Sequence, residues 1–472
     1  MSNHKVRLTN ISIQNFKNVI NGELNLTNSR REYNASILGL YGQNGSGKTA
    51  LIDAVQLLKY VLCGMPIPKT FADYINVGSD YAAIKYTFDI LTTIGKYKAF
   101  YELYIKNESD EIANNMEVNV SNYENYKTTI YHEVLSYSFE NDKERIRKSP
   151  LIDTDSTDVF VPAKKYECLL GKDKKQETDL LVAKKIAVST SRSFVFSKEL
   201  MTAIRKRRVK GTEFQRHLTL MEKLVAYGNF ELFIINTSNA GMISMNTLPL
   251  AFKYEDKNTG TMGNMVLPLE TSVPVPKAAV QVIEKIIGDM NVVLTQIIPG
   301  LTISIKNLGS QVLSNGEMAN NIQFMSNKNS KEIPLKYESE GIKKIISVLH
   351  LLIVLYNQPS ITVAIDELDS GIFEYLLGEI LRIISEKGKG QLIFTSHNLR
   401  PLETLDKGFI AFTTTNPSKR YIRLSNIKEN NNLRDFYFRD IVLGEQSEEL
   451  YSQTNNAEIA LAFREAGETC GS

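Results

Sequence analysis

Gly42-Gln43-Asn44-Gly45-Ser46-Gly47-Lys48-Thr49 is the stretch that decides how this chain is read. It satisfies G-x-x-x-x-G-K-[ST] in full, and its flanks suit it. Ile37-Leu38-Gly39-Leu40-Tyr41 before it is a short apolar run of buried-strand type, and Ala50 to Leu58 after it has apolar residues at helical spacing. Glycines in such a loop let successive backbone N–H groups turn inward and form a concave anion site. The helix starting at Gly47 adds the positive end of its dipole. Lys48 is then placed to reach the β- and γ-phosphates of a nucleotide, and the Thr49 hydroxyl to bind Mg²⁺. Gly42, Asn44, Gly45, Ser46, Gly47, Lys48 and Thr49 are the expected nucleotide-binding residues of this loop.

Three further stretches bear on the same chemistry. Ile361-Thr362-Val363-Ala364-Ile365 is a continuous apolar, β-branched run of the kind found in a doubly covered parallel strand, and Asp366-Glu367 follows it. An aspartate at the carboxyl end of such a strand sits at the edge where ligands bind. Asp366 is expected to hold Mg²⁺, directly or through water, and Glu367 to orient and polarise an attacking water. Four apolar residues and two acids also arise by chance. Gln391 to Thr395 is another buried strand, ending on Ser396-His397. His397 could hydrogen-bond a γ-phosphate, although a lone histidine after a strand is more often structural. Ser339-Glu340-Gly341 opens a helix that runs to Tyr356. A serine hydroxyl at a helix N-terminus is a phosphate-binding device, better placed for a nucleotide held by a second copy of the chain; a plain helix cap is the competing reading.

In this order, with the acidic strand far down the chain from the phosphate loop, the sequence resembles an ATP-binding-cassette ATPase of the SMC/RecF-like branch. A ring-forming AAA+ motor has its acidic strand much sooner. The resemblance makes Gly42–Thr49 the Walker A loop, Ser339-Glu340-Gly341 the signature, and Ile361–Glu367 the Walker B strand. Leu368-Asp369-Ser370-Gly371 becomes the D-loop and His397 the switch histidine. Ile13-Gln14-Asn15-Phe16-Lys17-Asn18 is similar to the first strand and turn of that branch. The implied fold is α/β: an ABC-ATPase head with a doubly covered, mainly parallel sheet plus an antiparallel β-subdomain. One lobe is expected at 1–95 and the other at 331–425, with a compact helical and β insert at 96–330 and a small appendage at 426–472. The implied activity is slow ATP hydrolysis, with ATP and Mg²⁺ as cofactors, Glu367, His397 and Lys48 as catalytic residues, and Thr49 and Asp366 on the metal. Ser339 and Gly341 would complete the nucleotide site across an ATP-sandwich dimer or a higher homo-oligomer.

The sequence departs from the family pattern in three places. The signature is a bare Ser-x-Gly, no glutamine for a Q-loop occurs in Phe71–Asp80, and Phe373 stands near the place where relatives carry a histidine. The 96–330 stretch holds turns, strands and Pro150, Pro162, Pro268, Pro274 and Pro276, so a long coiled coil is not expected there. Short-insert ATPases of this type resemble those of bacterial anti-phage systems: Septu, PARIS, the AbiL family, Gabija and the OLD family. By that resemblance the chain is a sensor or scaffold controlling a separate nuclease effector, with DNA or a phage protein as trigger. A RecF-type DNA-binding repair and recombination ATPase is the alternative. No nuclease site of its own is expected. The stretch after Leu424 is too short for a Toprim domain, and Asp435 and Asp440 do not form its carboxylate pattern.

Composition sets the outer bounds. The 472 residues are 43% apolar and 23% charged, enough for a real core. Lys+Arg 55 against Asp+Glu 53 gives a net charge of +2, which argues against a surface uniformly dedicated to nucleic acid. The densest basic run, Arg205-Lys206-Arg207-Arg208-Val209-Lys210, reads either as a binding surface or as a solvated helix face. Cys63, Cys168 and Cys470 are unrelated in spacing and suit a reducing compartment. Neither a leader nor a membrane span is evident, so a cytoplasmic location is expected.

Overall fold

The computed structural model describes residues 4–28, 33–109, 126–208, 211–236, 247–256, 259–329, 331–424, 432–444 and 446–470. Strands β1 (Lys5–Phe16) and β2 (Val19–Asn25) open the chain, followed by β3 (Ser36–Tyr41) and helix α1 (Lys48–Leu62). Next come β4 (Tyr81–Thr92), β5 (Gly95–Ser109), β6 (Tyr126–Glu140) and β7 (Arg145–Asp153). These pair with β1 and β2 in one antiparallel sheet of order β2-β1-β4-β5-β6-β7. Its alternation is that of a half-buried sheet. In β4 the side chains of Ile84, Tyr86, Phe88 and Ile90 point inward, and Lys85 and Asp89 point out.

Four helices cover that inner face: α2 (Ala163–Leu169), α3 (Lys174–Ser189), α4 (Lys198–Lys206) and α5 (Thr212–Ala226). Within the basic run, Arg205 pairs with Glu222 at 2.9 Å and Arg207 donates to the Glu167 carbonyl at 2.5 Å, so two of its cations serve local structure. Val209 and Lys210 lie outside the described residues.

The chain then enters a second sheet through β8 (Leu232–Ile235). A hairpin of β9 (Thr247–Asp256) and β10 (Thr259–Pro268) follows. After it come β11 (Val273–Pro276), helix α6 (Lys277–Ile297), β12 (Leu301–Val312), β13 (Met318–Lys328) and β14 (Lys331–Pro334). The last lobe is α7 (Glu340–Asn357), β15 (Thr362–Ile365), α8 (Glu374–Lys387), β16 (Gln391–Thr395), α9 (Pro401–Thr404), β17 (Ile410–Thr413) and β18 (Tyr421–Ile422). Two more helices, α10 (Leu433–Leu443) and α11 (Asn456–Cys470), end the chain.

The second sheet has the order β18-β17-β3-β16-β15-β8, and all its pairs are parallel except β17 with β18. Both faces are buried. Leu38, Leu40, Ala364 and Ile393 join the core shared with the antiparallel sheet, while Ile37, Tyr41, Val363, Ile365, Leu392 and Phe394 join a second core under α6, α7 and α8. The fold is α/β, a doubly covered, mainly parallel sheet with an antiparallel β-subdomain, as expected from the sequence. The stretch 96–330 is not one separate insert. β5–β7 complete the antiparallel sheet of the first lobe, and β8 is an edge strand of the central sheet beside β15. The reason is backbone pairing: without β8 the buried strand β15 would lack a partner on one side.

The segment after 425 is more than an appendage, because Leu433, Phe436, Tyr437 and Leu450 are buried in the second core. Among the described residues, no helix is long and apolar enough to cross a membrane.

Candidate functional site

The loop between β3 and α1 is shaped by backbone geometry. Gly45 and Gly47 adopt φ of 75° and 95°, in the left-handed region, and Gly47 is the N-cap of α1. Gly42 is required for space as well, since a Cβ there would lie 1.7 Å from Thr413 Oγ1. Neighbouring elements hold the loop from outside. The Asn18 amide donates to the Gly45 carbonyl, and the Tyr421 hydroxyl donates to the Gly47 carbonyl at 2.9 Å. Ser46 is buried, with its Oγ on the Gln43 carbonyl at 2.6 Å and against Thr413 Oγ1.

Inside the loop the Lys48 ammonium donates to the carbonyls of Gly42 at 2.7 Å and Gln43 at 2.9 Å. Burial pushes its pKa down, and Asp366, Glu367 and Asp369 pull it back up. These two carbonyl contacts are ones a phosphate can replace with charge-assisted bonds.

Across the loop, Asp366 and Glu367 leave the end of β15. The Thr395 hydroxyl at the end of β16 donates to Asp366 Oδ1 at 2.6 Å and accepts the Glu367 N–H at 2.8 Å. Glu367 takes φ 48°, an uncommon value for a residue with a side chain. That turn is closed by the Ser370 N–H on the Glu367 carbonyl at 3.0 Å. Asp369 anchors the next loop, its Oδ2 accepting from His397 N at 3.1 Å and Asn398 N at 3.0 Å.

Asn44, Gly45, Gly47, Lys48, Thr49, Asp366, Glu367 and His397 therefore line one cavity of about 320 Å³, joined by Lys17 and Asn18. Gly42 and Ser46 shape the loop from behind and do not line that cavity. Thr49 and Asp366 face it with hard oxygen donors, and Thr395 engages only one Asp366 oxygen, so the pair fits Mg²⁺.

Ser339 and Gly341 are not brought to this cavity. Ser339 is exposed and caps α7, its Oγ accepting from Ile342 N at 3.4 Å. Gly341 packs against the loop after β15 so tightly that a Cβ would lie 2.2 Å from the Gly371 carbonyl.

Three functional candidates had no clear sequence signal. Lys17, at the β1–β2 turn with φ 52°, pairs with buried Asp53 of α1. Asn236 follows β8 beside the acidic strand, its amide donating to Gln56 at 2.9 Å and to Asp53 at 3.3 Å, and its buried Oδ1 has no partner. Lys344 of α7 is buried beside Asp366, Glu367 and Asp369, and burial pushes its pKa down to about 8.

Two segments match models of known families. Residues 10–224 match one described as "AAA domain", and residues 268–403 match one described as "AAA domain, putative AbiEii toxin, Type IV TA system". Several solved structures are similar over 89% of this chain. One is an SMC head bound to the C-terminal winged-helix domain of ScpA, at 11% identity and TM-score 0.37, covering 98% of that chain. A second is an SMC head with an extended coiled coil, bound to the C-terminal domain of ScpA derived from Pyrococcus furiosus, at 11%, 0.36 and 96%. A third is the SMC head domain from Thermotoga maritima, at 11%, 0.34 and 99%. Comparison with curated proteins yields no match. The two family matches fall on both sides of the central stretch, and each half of the cavity, Lys48 with Thr49 and Asp366 with Glu367, lies within a segment that an AAA-domain model matches.

Proposed function

We propose that this chain is an ATP-driven conformational switch whose active site is completed by a second copy of itself. The observation that carries this reading is the cavity that gathers Lys48, Thr49, Asp366, Glu367 and His397 while leaving Ser339 and Gly341 outside. Lys48 binds the β- and γ-phosphates, and Thr49 and Asp366 hold Mg²⁺, which neutralises charge on the phosphates when bound. Glu367 takes a proton from water as its oxygen attacks the γ-phosphorus and the bond to the β–γ bridging oxygen breaks. His397 hydrogen-bonds the γ-phosphate and couples its presence to Asp369 through the shared loop.

Ser339, exposed at the start of α7, does not line this chain's own pocket. Tyr337, 68% exposed, and Phe373, 70% exposed, flank Ser339 and Gly371, and apolar exposure of that kind supports a protein interface. In the sandwich, ATP held by one chain meets Ser339 and Gly341 of the other, so nucleotide joins the dimer and hydrolysis loosens it. A tenfold shift in that equilibrium needs only about 1.4 kcal/mol, within reach of a few charge-assisted hydrogen bonds.

We further read the switch as the sensor or scaffold of an anti-phage system that controls a separate nuclease. The match of residues 268–403 to a model described for a putative toxin of a toxin–antitoxin system supports this reading. Steady-state phosphate release and light-scattering mass, with and without ATP, test the core of the proposal. Turnover with a nucleotide-dependent doubling of mass is expected, and a chain that turns over ATP as a strict monomer contradicts it.

A further inference from the structure

A second concavity lies far from the first, at the opposite end of β1. Its volume is about 870 Å³, within the range of small-molecule sites. Its walls come from the outer face of the antiparallel sheet and from the segment leading into β3. Among the described residues, Lys5, Lys96, Lys98, Arg145, Arg147 and Lys148 line it, against only Asp89 and Glu140. Strand geometry explains the clustering. Lys96 and Lys98 alternate with the buried Tyr97 and Ala99 along β5, and Lys96 and Arg145 are both paired in register with Glu140. Among the described residues, Lys96, Lys98, Arg145 and Arg147 make no ion pair, and of the two carboxylates in the hollow Asp89 acts on Lys5, so positive charge is left in excess.

Arg7 is the second observation. It also lines the hollow, yet it is 7% exposed. One terminal nitrogen, Nη2, donates to the carbonyls of Asn34 (3.0 Å) and Lys389, while the other, Nη1, is buried with no partner. A buried guanidinium with an unspent donor costs free energy that a bound anion would recover.

We propose that this hollow is a polyphosphate site, taking a compact ligand with two or more linked phosphates, of the size of a nucleoside di- or triphosphate, within a single chain. Its cations neutralise the phosphates, and Arg7 at its floor offers the unpaired Nη1 to one of them. A hollow of about 870 Å³ suits a compact polyanion better than an extended duplex. The site is separate from the Lys48 pocket and does not depend on how that pocket works.

The test uses the full chain carrying Lys48→Ala, so that the first pocket is disabled. Calorimetric titrations use inorganic tripolyphosphate, ATP, and a single-stranded oligonucleotide of about 20 nucleotides. Tripolyphosphate and ATP are expected to bind near one equivalent per chain, with affinity falling as salt rises. Binding of both alike assigns the site to the phosphates alone, and ATP binding far more tightly assigns it to nucleotides. The exposed double change Lys98→Glu/Arg147→Glu is expected to weaken binding at least tenfold, roughly the loss of one or two charge-assisted contacts, and Arg7→Gln to do the same. Should Arg7→Gln fail to fold, the surface double variant decides alone. No binding of either small polyanion, or binding indifferent to Lys98→Glu/Arg147→Glu, overturns the proposal. So does a hollow that takes only the oligonucleotide, which would make it a nucleic-acid surface.

Discussion

The Thr395 hydroxyl stands 2.6 Å from Asp366 Oδ1 and donates to it, while the same oxygen accepts the Glu367 N–H at 2.8 Å. One buried side chain on β16 thus orients both acids that end β15. Thr395→Val keeps the shape and removes both bonds, leaving a buried carboxylate oxygen and an N–H unpaired. A stability loss of about 1–3 kcal/mol is expected, with nucleotide binding retained and turnover reduced at least tenfold. Denaturant unfolding and phosphate release read the two effects separately; unchanged turnover would show that this hydroxyl does not position the acids.

Lys48→Ala and Glu367→Gln separate binding from hydrolysis. The first removes the ammonium that now rests on the Gly42 and Gln43 carbonyls, and ATP affinity is expected to fall at least a hundredfold, about 2.7 kcal/mol. The second keeps the size and the φ 48° turn but cannot take a proton, so ATP should bind normally and turnover drop by about two orders of magnitude or more. Equilibrium binding and single-turnover kinetics check both. Normal hydrolysis by Glu367→Gln would remove Glu367 from the role of base.

His217 sets an acid limit on stability. It is fully buried on α5, 3.4 Å from the Lys165 ammonium and 3.8 Å from Glu213, and burial followed by Lys165 lowers its pKa to about 4. Its unfolded value is 6.5, so between those values the unfolded chain binds the extra proton and stability rises with pH. On acidification from neutrality the fold is expected to lose up to about 3 kcal/mol from this group by pH 4. Comparing unfolding free energies at pH 4.5 and pH 7 checks this, because His217→Gln should flatten the difference. An equally steep fall in His217→Gln would assign the acid limb to other groups.

The parts of this site that share one short stretch were readable from sequence. Gly42 to Thr49 carries its own glycine spacing, and Asp366-Glu367 ends a β-branched run of the kind found in a covered strand. What was not readable depends on pairing between distant segments. Leu232–Ile235 looks like any short strand, and nothing local says that it lies against Thr362–Ile365 and delivers Asn236 beside Asp53. Lys17 and Asn18 belong to a turn that resembles the family's first one, yet their place in the cavity follows from the close packing of that turn on the loop. Ser46 reads as a ligand residue by motif, but Thr413 from β17 claims its hydroxyl. The tail reads as polar, and only three-dimensional packing reveals that Leu433, Phe436 and Tyr437 plug the second core.

Ser339→Arg places a bulky cation at an exposed helix start that touches nothing in its own pocket. Loss of the cap on Ile342 N should cost about 0.5–2 kcal/mol of stability, and the chain should still fold and bind ATP. The ATP-dependent gain in mass should disappear, and turnover with it. Retained turnover would leave Ser339 as a plain cap of α7.

Mixing the two disabled chains is the most direct measurement of a pocket shared between copies. A Lys48→Ala chain and a Ser339→Arg chain, each inactive alone, can pair so that the intact loop of the second meets the intact serine of the first. One working site per mixed dimer is the expected result, seen as ATP turnover that reappears on mixing and rises toward a plateau as the ratio approaches equality. Turnover that stays at the level of the separate chains at every ratio, although mixed dimers form, would contradict a site built from two chains.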